Sequence, residues 1–200
     1  MRIFILIGGI GSGKSTVARM LEERGACLLD LDECGHEILR QPEVVELLVE
    51  TFGEGILDDA GEIDRPALAE VAFATPADTV KLNGITQPRL MRLARERVRE
   101  LRRQGVKHVV MEISAYDGPE GTFAPLVREN DGIISVICPT RVRLERAVSK
   151  GFEEQDVKNR IARQPEDTQR VIWSDYVINN KGTLEELETA TDRVWKKITS

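Results

Sequence analysis

The chain has 200 residues, of which 41% are hydrophobic and 31% are charged, and its formal net charge is −6 at pH 7. These proportions are typical of a folded, soluble domain, and they exclude a disordered chain and a chain built largely of membrane spans. The negative net charge argues against a nucleic-acid backbone as the main partner. Any site for an anion must therefore consist of a few cationic side chains placed close together.

The cysteines and the apolar runs predict the compartment. Cys27, Cys34 and Cys138 are odd in number and lack the spacing of a metal site, which fits reduced thiols in a cytoplasmic protein. No apolar run reaches the length of a spanning helix, and the opening apolar run lacks a signal-peptide cleavage site. We therefore expect a cytoplasmic location and no membrane partner.

A glycine-rich loop near the start of the chain is the strongest functional signal. Ile3 to Ile7 has the pattern of a buried strand, residues 8–16 read GGIGSGKST, and a helical pattern follows. The loop fits G-x-x-x-x-G-K-[ST], in which backbone N–H groups surround phosphate oxygens, the lysine neutralises phosphate charge and the hydroxyl binds Mg²⁺. We therefore predict a nucleotide polyphosphate and Mg²⁺ as ligands. The predicted contacts are Gly9, Gly11, Ser12, Gly13, Lys14, Ser15 and Thr16, with Ser15 on the metal.

Two aspartates follow the second predicted strand, Ala26 to Leu29. Ligands of a parallel sheet lie beyond the carboxyl ends of its strands, so these carboxylates face the same edge as the phosphate loop. Asp30 and Asp32 share one face if the strand continues through them. We expect Asp32 to act on the substrate. The alternative is that one of the pair caps the helix predicted from Glu33 to Leu39.

The segment from Pro42 to Gln104 is predicted to be mostly helical. One amphipathic helix ends at Gly53, and another begins with Pro66 at its first position. Seven arginines lie between residues 89 and 103. Such a run is typical of a solvated helix face, although one or two of these arginines could reach an anionic substrate.

Two further buried strands are predicted in the second half of the chain. The first, Val106 to Ile113, carries Glu112 near its end, where phosphate-loop enzymes hold Mg²⁺. The second, Gly132 to Cys138, stops at Pro139. Glu112 is therefore a candidate metal ligand beside Ser15.

The cation-rich stretch from Arg141 to Arg170 is broken at Gly151 and at Pro165. It suits a lid that closes over a polyphosphate, and a charged surface hairpin is the alternative. A last strand, Tyr176 to Ile178, precedes a helix capped by Thr183. Strands that alternate with helices predict a three-layer α/β fold, with a parallel sheet covered by helices.

Taken in order, these features resemble the dephospho-coenzyme A kinase family. The resemblance runs from Met1 to about Thr183 and rests on the phosphate loop and five shorter motifs. These are Asp30-Leu31-Asp32 as D-x-D, Asp64-Arg65 with Ala67-Leu68 as D-R-x-x-L, Leu144-Glu145-Arg146 at the start of the lid, Arg160 to Gln164 as R-I-x-x-Q, and Asp175 to Asn180 as D-x-V-I-x-N.

The resemblance implies a P-loop nucleotide-kinase fold with three parts. Residues 1–40, 105–140 and 171–200 would form the core, residues 41–104 a helical part that binds the acceptor, and residues 141–170 the lid. It also implies transfer of the γ-phosphoryl group of ATP, with Mg²⁺, to the ribose 3′-hydroxyl of dephospho-coenzyme A. This reaction on a small-molecule acceptor is the last step of coenzyme A biosynthesis.

The resemblance also implies roles for individual residues. Asp32 would orient or deprotonate the hydroxyl, and Lys14 would hold the transferring phosphates. The other implied contacts are Arg65 and Gln87 with the acceptor, Asn180 with adenine, Arg143, Arg146 and Lys150 in the lid, and Ser15 and Glu112 with the metal.

The chain departs from the family pattern at three places. Gln87-Pro88 replaces His-Pro, Ile113 to Asp117 replaces P-L-L-x-E, and Lys150 replaces an arginine beside a one-residue deletion. All three lie on the acceptor side or in the lid. Two alternatives therefore stay open: a P-loop kinase for another hydroxyl acceptor, such as a nucleoside or small metabolite, and a nucleotide-binding module without transfer activity. A GTPase is disfavoured because no segment resembles N-K-x-D.

Overall fold

A five-stranded parallel sheet organises the protein, whose computed structural model describes residues 1–200. The strands are β1 (Arg2–Gly8), β2 (Cys27–Asp30), β3 (His108–Ile113), β4 (Gly132–Ile137) and β5 (Tyr176–Asn179). Their spatial order is β2-β3-β1-β4-β5, and all four pairings are parallel. The carboxyl ends of the strands therefore share one edge of the sheet.

Ten α-helices accompany the sheet, and the prediction of a helix-covered parallel sheet is confirmed. In chain order they are α1 (Lys14–Glu23), α2 (Leu31–Ile38), α3 (Pro42–Phe52), α4 (Arg65–Ala72), α5 (Pro76–Arg103), α6 (Ala124–Val127), α7 (Thr140–Ser149), α8 (Glu154–Arg163), α9 (Asp167–Ile172) and α10 (Leu184–Thr199). A 3₁₀ turn covers Glu54–Ile56. None of the helices combines the length and apolarity that a membrane-spanning segment needs.

The chain divides into two compact units. Unit 1 comprises Met1–Asp30 and Glu100–Ser200, and unit 2 comprises Leu31–Arg99. The functional division into core, acceptor part and lid is a separate matter and stays a prediction.

The core of unit 1 forms around β1, which lies in the middle of the sheet. Residues 3–7 are each at most 6% exposed, because helices cover both faces of the strand. Phe4 and Leu6 pack in one cluster with Val17 of α1 and Leu187 of α10. Burying a side chain of this size contributes about 1.5–3 kcal/mol, so this cluster fixes the strand from which the phosphate loop leaves.

Unit 2 has its own apolar cluster, formed by α3, the 3₁₀ turn and α4. Gly53 ends α3 as predicted, with a φ of 85°. Pro66 is the second rather than the first residue of α4, because the Asp64 carboxylate caps the helix one residue earlier by accepting from the N–H of Ala67 at 3.1 Å. The helix α5 runs unbroken through Pro88.

The condition under which Asp30 and Asp32 would share a strand face, a strand that continues through both, is not met. The strand β2 ends at Asp30, and α2 begins at Leu31 rather than at Glu33. Asp32 therefore lies in the first turn of a helix, where a negative charge is favoured by the helix dipole. The alternation of strand side chains consequently does not apply to the pair.

The predicted lid contains three helices, α7, α8 and α9. Its breaks fall at the predicted places. Gly151 follows α7 with a φ of 92°, and Pro165 separates α8 from α9.

Candidate active site

The phosphate loop connects the carboxyl end of β1 to the start of α1. Gly11 and Gly13 have φ values of 73° and 91°, a region that glycine enters without steric penalty. No side chain caps α1, and the N–H groups of Gly11, Gly13, Lys14 and Ser15 bond no protein acceptor. Unpaired N–H groups at a helix start form a ready anion site, as the motif predicts.

Lys14 lies in a buried polar cluster at the end of β3. Its Nζ is 2.5 Å from Glu112 Oε1 and 2.9 Å from Ser114 Oγ, and the Ser15 hydroxyl donates to the same Glu112 oxygen at 3.2 Å. Lys14 is 8% exposed and Glu112 is 9% exposed. The register of β1 and β3 pairs Leu6 with Glu112, which places the Glu112 carboxylate beside the start of the phosphate loop. Lys14 and the Ser15 hydroxyl both contact it there.

The Ser15 hydroxyl and the Glu112 carboxylate are the oxygen ligands that Mg²⁺ prefers. No group of three or more His, Cys, Asp or Glu side chains could hold a metal ion. An ion here would therefore need phosphate oxygens and water as its remaining ligands. Mg²⁺ usually has such ligands in ATP sites, so the residues fit that metal.

Asn180 braces the phosphate loop from the end of β5. Its Nδ2 donates to the carbonyl oxygen of Ser12 at 2.8 Å, and the residue is 6% exposed. A Cβ atom on Gly13 would lie 2.1 Å from that Nδ2, so a side chain there would displace the amide, and the φ of 91° also favours glycine. Arg146 Nη1 donates to the carbonyl oxygen of Asn180 at 3.1 Å. The predicted contact of Asn180 with adenine stays a prediction.

Arg143, in α7, packs directly on the phosphate loop. It is 3% exposed, and its Nε donates to the carbonyl oxygen of Ile10 at 2.9 Å. Its Nη2 donates to Gln164 Oε1 at 2.9 Å, and that oxygen also accepts from the N–H of Ile10 at 3.0 Å. The base of the lid is therefore hydrogen-bonded to the loop.

A second buried arginine lies behind Arg143. Arg170 Nη1 donates to Asp167 Oδ1 at 2.8 Å, whereas Arg143 Nη1 is 3.7 Å from that oxygen. The other Asp167 oxygen accepts from the N–H of Cys138 at 2.9 Å. Burial lowers the pKa of both guanidinium groups, although the nearby Asp167 carboxylate opposes the shift. The Asp167 carboxylate is therefore close to two buried cations.

The remaining lid cations are more accessible. Arg146 is half-buried, and Lys150 is exposed after the end of α7. Lys158 and Arg160 form ion pairs within α8, with Glu154 at 2.6 Å and with Asp156 at 2.9 Å. These pairs match the surface-hairpin alternative for α8, and closure of the lid over ATP stays a prediction.

The predicted acceptor residues all lie in unit 2. Asp32 is exposed in the first turn of α2, Arg65 is the exposed first residue of α4, and Gln87 is half-buried in α5. Their contacts with a substrate stay predictions.

The stretch that departs from the family pattern, Ile113 to Asp117, contains a buried tyrosine. The Tyr116 ring packs edge-on against Trp173 at 5.6 Å, and its hydroxyl has no hydrogen-bond partner. Burial, together with the Asp117 charge, raises the pKa of Tyr116 to about 12.

Four polar residues at the site were not among the predicted site residues: Ser114, Gln164, Asp167 and Arg170. Gln164 belongs to the R-I-x-x-Q motif, so a signal for it existed in the sequence. The other three carry no local signal, because each contributes through contacts with residues distant in the chain or through burial.

Comparisons of the sequence with a family model and with curated proteins identify one family. The family model described as dephospho-CoA kinase matches residues 2–186. A dephospho-CoA kinase from Corynebacterium glutamicum is 38% identical over 198 residues, covering 98% of this chain and 96% of that protein. A Thermus thermophilus crystal structure has a TM-score of 0.82 at 29% identity, covering 100% of this chain and 98% of its own. A Campylobacter jejuni dephospho-CoA kinase has a TM-score of 0.72 at 21% identity, covering 99% of this chain and 98% of its own, and therefore shares the fold.

Proposed function

The chain belongs to the dephospho-CoA kinase family, and from that premise we propose which of its residues bind ATP, hold Mg²⁺ and activate the acceptor. The protein is an ATP-dependent kinase that phosphorylates the ribose 3′-hydroxyl of dephospho-CoA, the last step of coenzyme A biosynthesis. The observation that carries this conclusion is a family match over residues 2–186 that includes the phosphate loop and its polar cluster of Lys14, Ser15 and Glu112, in which Lys14 and Glu112 are buried.

The phosphate loop binds the β- and γ-phosphates of ATP in this proposal. The support is chemical: the N–H groups of Gly11, Gly13, Lys14 and Ser15 have no protein acceptor, and the dipole of α1 favours negative charge at its start. Gly9, Ser12 and Thr16 complete the loop.

Lys14 neutralises charge on the phosphoryl group during transfer. Phosphoryl transfer has a loose transition state with charge on the peripheral oxygens, so a placed cation lowers the barrier. Its ion pair with Glu112 keeps this cation in a buried position.

The Ser15 hydroxyl and the Glu112 carboxylate hold Mg²⁺ in this proposal, directly or through water. When bound, the ion neutralises charge on the phosphate oxygens. The support is the shared hydrogen bond of these two side chains at 3.2 Å, which places two hard oxygen ligands together.

Asp32 aligns the acceptor hydroxyl and accepts its proton. A carboxylate within hydrogen-bond distance of the hydroxyl can do both. The support is the position of the D-x-D motif at the end of β2 and the start of α2, together with the exposure of the Asp32 side chain. Asp30, the last residue of β2, is the less favoured carboxylate.

Arg65 and Gln87 bind the acceptor in this proposal. An exposed arginine at the start of a helix can pair with the phosphates of dephospho-CoA through two parallel hydrogen bonds. Gln87 replaces the histidine of the family pattern and supplies an amide in its place.

The lid residues Arg146 and Lys150 approach the polyphosphate in this proposal. Lys150 offers a single ammonium group where the family has the fork of an arginine, so its contact is less directional. A cytoplasmic location and the absence of a nucleic-acid partner also stay proposals, based on cysteine content and net charge.

An ADP-release assay with a panel of acceptors tests the function. The panel contains dephospho-CoA, adenosine, other nucleosides and pantetheine derivatives. Dephospho-CoA should be preferred over every other compound. Faster release with a nucleoside would favour the other-acceptor alternative, and no release with any compound would favour the binding module.

A further inference from the structure

Two lid side chains hold both polar atoms of one residue at the crest of the phosphate loop. The Ile10 carbonyl oxygen accepts from Arg143 at 2.9 Å, and the Ile10 N–H donates to Gln164 at 3.0 Å. Arg143 and Gln164 also bond each other at 2.9 Å, which closes a ring of three hydrogen bonds. We name this ring of Ile10, Arg143 and Gln164 the crest clamp.

The crest clamp sets the direction of a phosphate donor. The carbonyl of Ile10 and the N–H of Gly11 belong to one planar, trans peptide group, so they point in opposite directions. Because Arg143 holds the carbonyl, the Gly11 N–H is turned away from Arg143. That N–H bonds no protein acceptor.

Close packing leaves the crest little freedom to turn. A Cβ atom on Gly9 would lie 2.0 Å from Arg143 Nη2, and one on Gly11 would lie 2.2 Å from the Arg143 carbonyl oxygen. Both contacts are far below van der Waals distance, so a side chain at either position would displace Arg143. Arg143 itself is almost fully buried.

Charge at the crest clamp is unbalanced. Asp167 forms its short contact with Arg170 at 2.8 Å and lies 3.7 Å from Arg143. One carboxylate thus faces two buried guanidinium groups, which stay protonated in proteins. A buried charge without full compensation is costly, and an anion at the crest would offset that cost.

We propose that Arg143 and Gln164 are positioning residues for ATP, which orient the Gly11 N–H and place surplus positive charge at the loop crest. The base of the lid and the phosphate loop then act as one ATP-binding element. This proposal rests on the proposed function only in taking ATP as the ligand of the loop.

Binding of Mg-ATP without acceptor tests the proposal directly. Calorimetric Kd values are compared for the parent, Arg143→Lys and Gln164→Met, with Arg141→Ala as the control. Arg141 lies in the same helix, but its side chain is 85% exposed and pairs only with Glu145. Lysine keeps the charge but lacks the fork that bonds Ile10 and Gln164 together, and methionine keeps the size of Gln164 without its acceptor.

Both variants should raise the Kd and the KM for ATP about tenfold, which corresponds to about 1.4 kcal/mol. The KM for dephospho-CoA should stay within about twofold, and the control should bind like the parent. The proposal would be overturned if both variants bound ATP with the same Kd as Arg141→Ala, even if their Tm were lower. Packing alone would then explain the contacts. If Arg143→Lys does not fold, Gln164→Met decides alone.

The outcomes separate this proposal from the proposed function. If the parent does not phosphorylate dephospho-CoA but the variants still lose ATP binding, dephospho-CoA is not the acceptor and the crest clamp is supported. A parent that is an active kinase, with variants that bind ATP normally, contradicts the crest clamp alone.

Discussion

The two units hold their predicted site residues in different ways. In unit 1, Lys14, Glu112 and Arg143 are buried, and each bonds residues from distant parts of the chain. In unit 2, Asp32 and Arg65 are exposed in the first turns of helices. A buried charge must be paired, so the positions in unit 1 are fixed by the stability of the fold.

This difference indicates how the two sides of the reaction are constrained. Lys14 and Arg143, which we propose act on ATP, are buried and hydrogen-bonded, so substitutions at these two positions should cost stability. Asp32 and Arg65, which we propose act on the acceptor, are exposed, so substitutions at these two positions should cost less stability. Variants in unit 1 should therefore affect ATP, and variants in unit 2 should affect the acceptor and its activation.

The largest effect is expected for Asp32→Asn. Loss of a general base typically costs about 10²–10⁴-fold in rate, whereas Mg-ATP should bind as in the parent. Asparagine keeps the shape and can still serve at a helix start, so the structural role is preserved. Turnover and the Kd for Mg-ATP are measured side by side, with Asp30→Asn as the matched variant. Full activity in Asp32→Asn together with an inactive Asp30→Asn would identify Asp30 as the essential carboxylate.

Lys14→Ala should lower turnover by about 10²–10³-fold, because a group that stabilises transition-state charge is lost. It should also cost stability, about 3–5 kcal/mol, because Glu112 stays buried without its cation. The double variant Lys14→Met with Glu112→Gln removes both charges, and it should recover Tm without recovering turnover. Near-normal turnover in Lys14→Ala would show that the loop is not the catalytic centre.

Arg65→Ala should raise the KM for dephospho-CoA about 10-fold to 100-fold, as expected for a lost charged hydrogen bond. The KM for ATP and the Tm should not change, because Arg65 is exposed in unit 2. Steady-state kinetics with each substrate varied in turn measure both constants. A rise confined to the KM for ATP would break the division of roles between the units.

The lid should gain protection from hydrogen exchange when a non-hydrolysable ATP analogue is added. We expect the gain to be concentrated in α8, whose cations are exposed, since α7 is already bonded to the loop through Arg143. Residues 89–103 of the arginine-rich helix α5 provide the internal comparison and should change little. Equal protection of α8 with and without the analogue would leave the surface hairpin as its only role.

The smallest effect concerns His108, at the amino end of β3. Burial, with the nearby charges of Arg2 and Lys107, lowers the pKa of His108 below its usual value. The unfolded chain therefore takes up a proton more readily than the folded one, and stability falls as the pH drops below about 6.5. His108→Gln should reduce the loss of Tm between pH 7.5 and pH 5.5. An unchanged slope would contradict the shift.

Features that follow from a local pattern, or from parallel strands ending at one edge of the sheet, could be predicted from the sequence. The strand, loop and helix at residues 2–23 follow from one local pattern, and the approach of Glu112 to Lys14 follows from parallel strands that end at one edge. The shared face of Asp30 and Asp32 depended on the strand continuing past Asp30, and it does not arise because a helix begins at Leu31.

Contacts between the lid and the phosphate loop could not be predicted in this way. Arg143 and Ile10 are 133 positions apart, and Gln164 and Ile10 are 154 apart. The sequence indicated a cation-rich lid, but no periodicity shows which of its arginines is buried. Burial separates Arg143 from Lys150, although both lie in the same predicted segment.

Identification of the product by ³¹P NMR tests the central claim most directly. The protein is incubated with ATP, Mg²⁺ and dephospho-CoA, and the transferred phosphate is located by its coupling to ribose protons. The account predicts one new phosphomonoester on the ribose 3′-oxygen, formed in a one-to-one ratio with ADP. Phosphate on another atom of the acceptor, or release of inorganic phosphate alone, would contradict it.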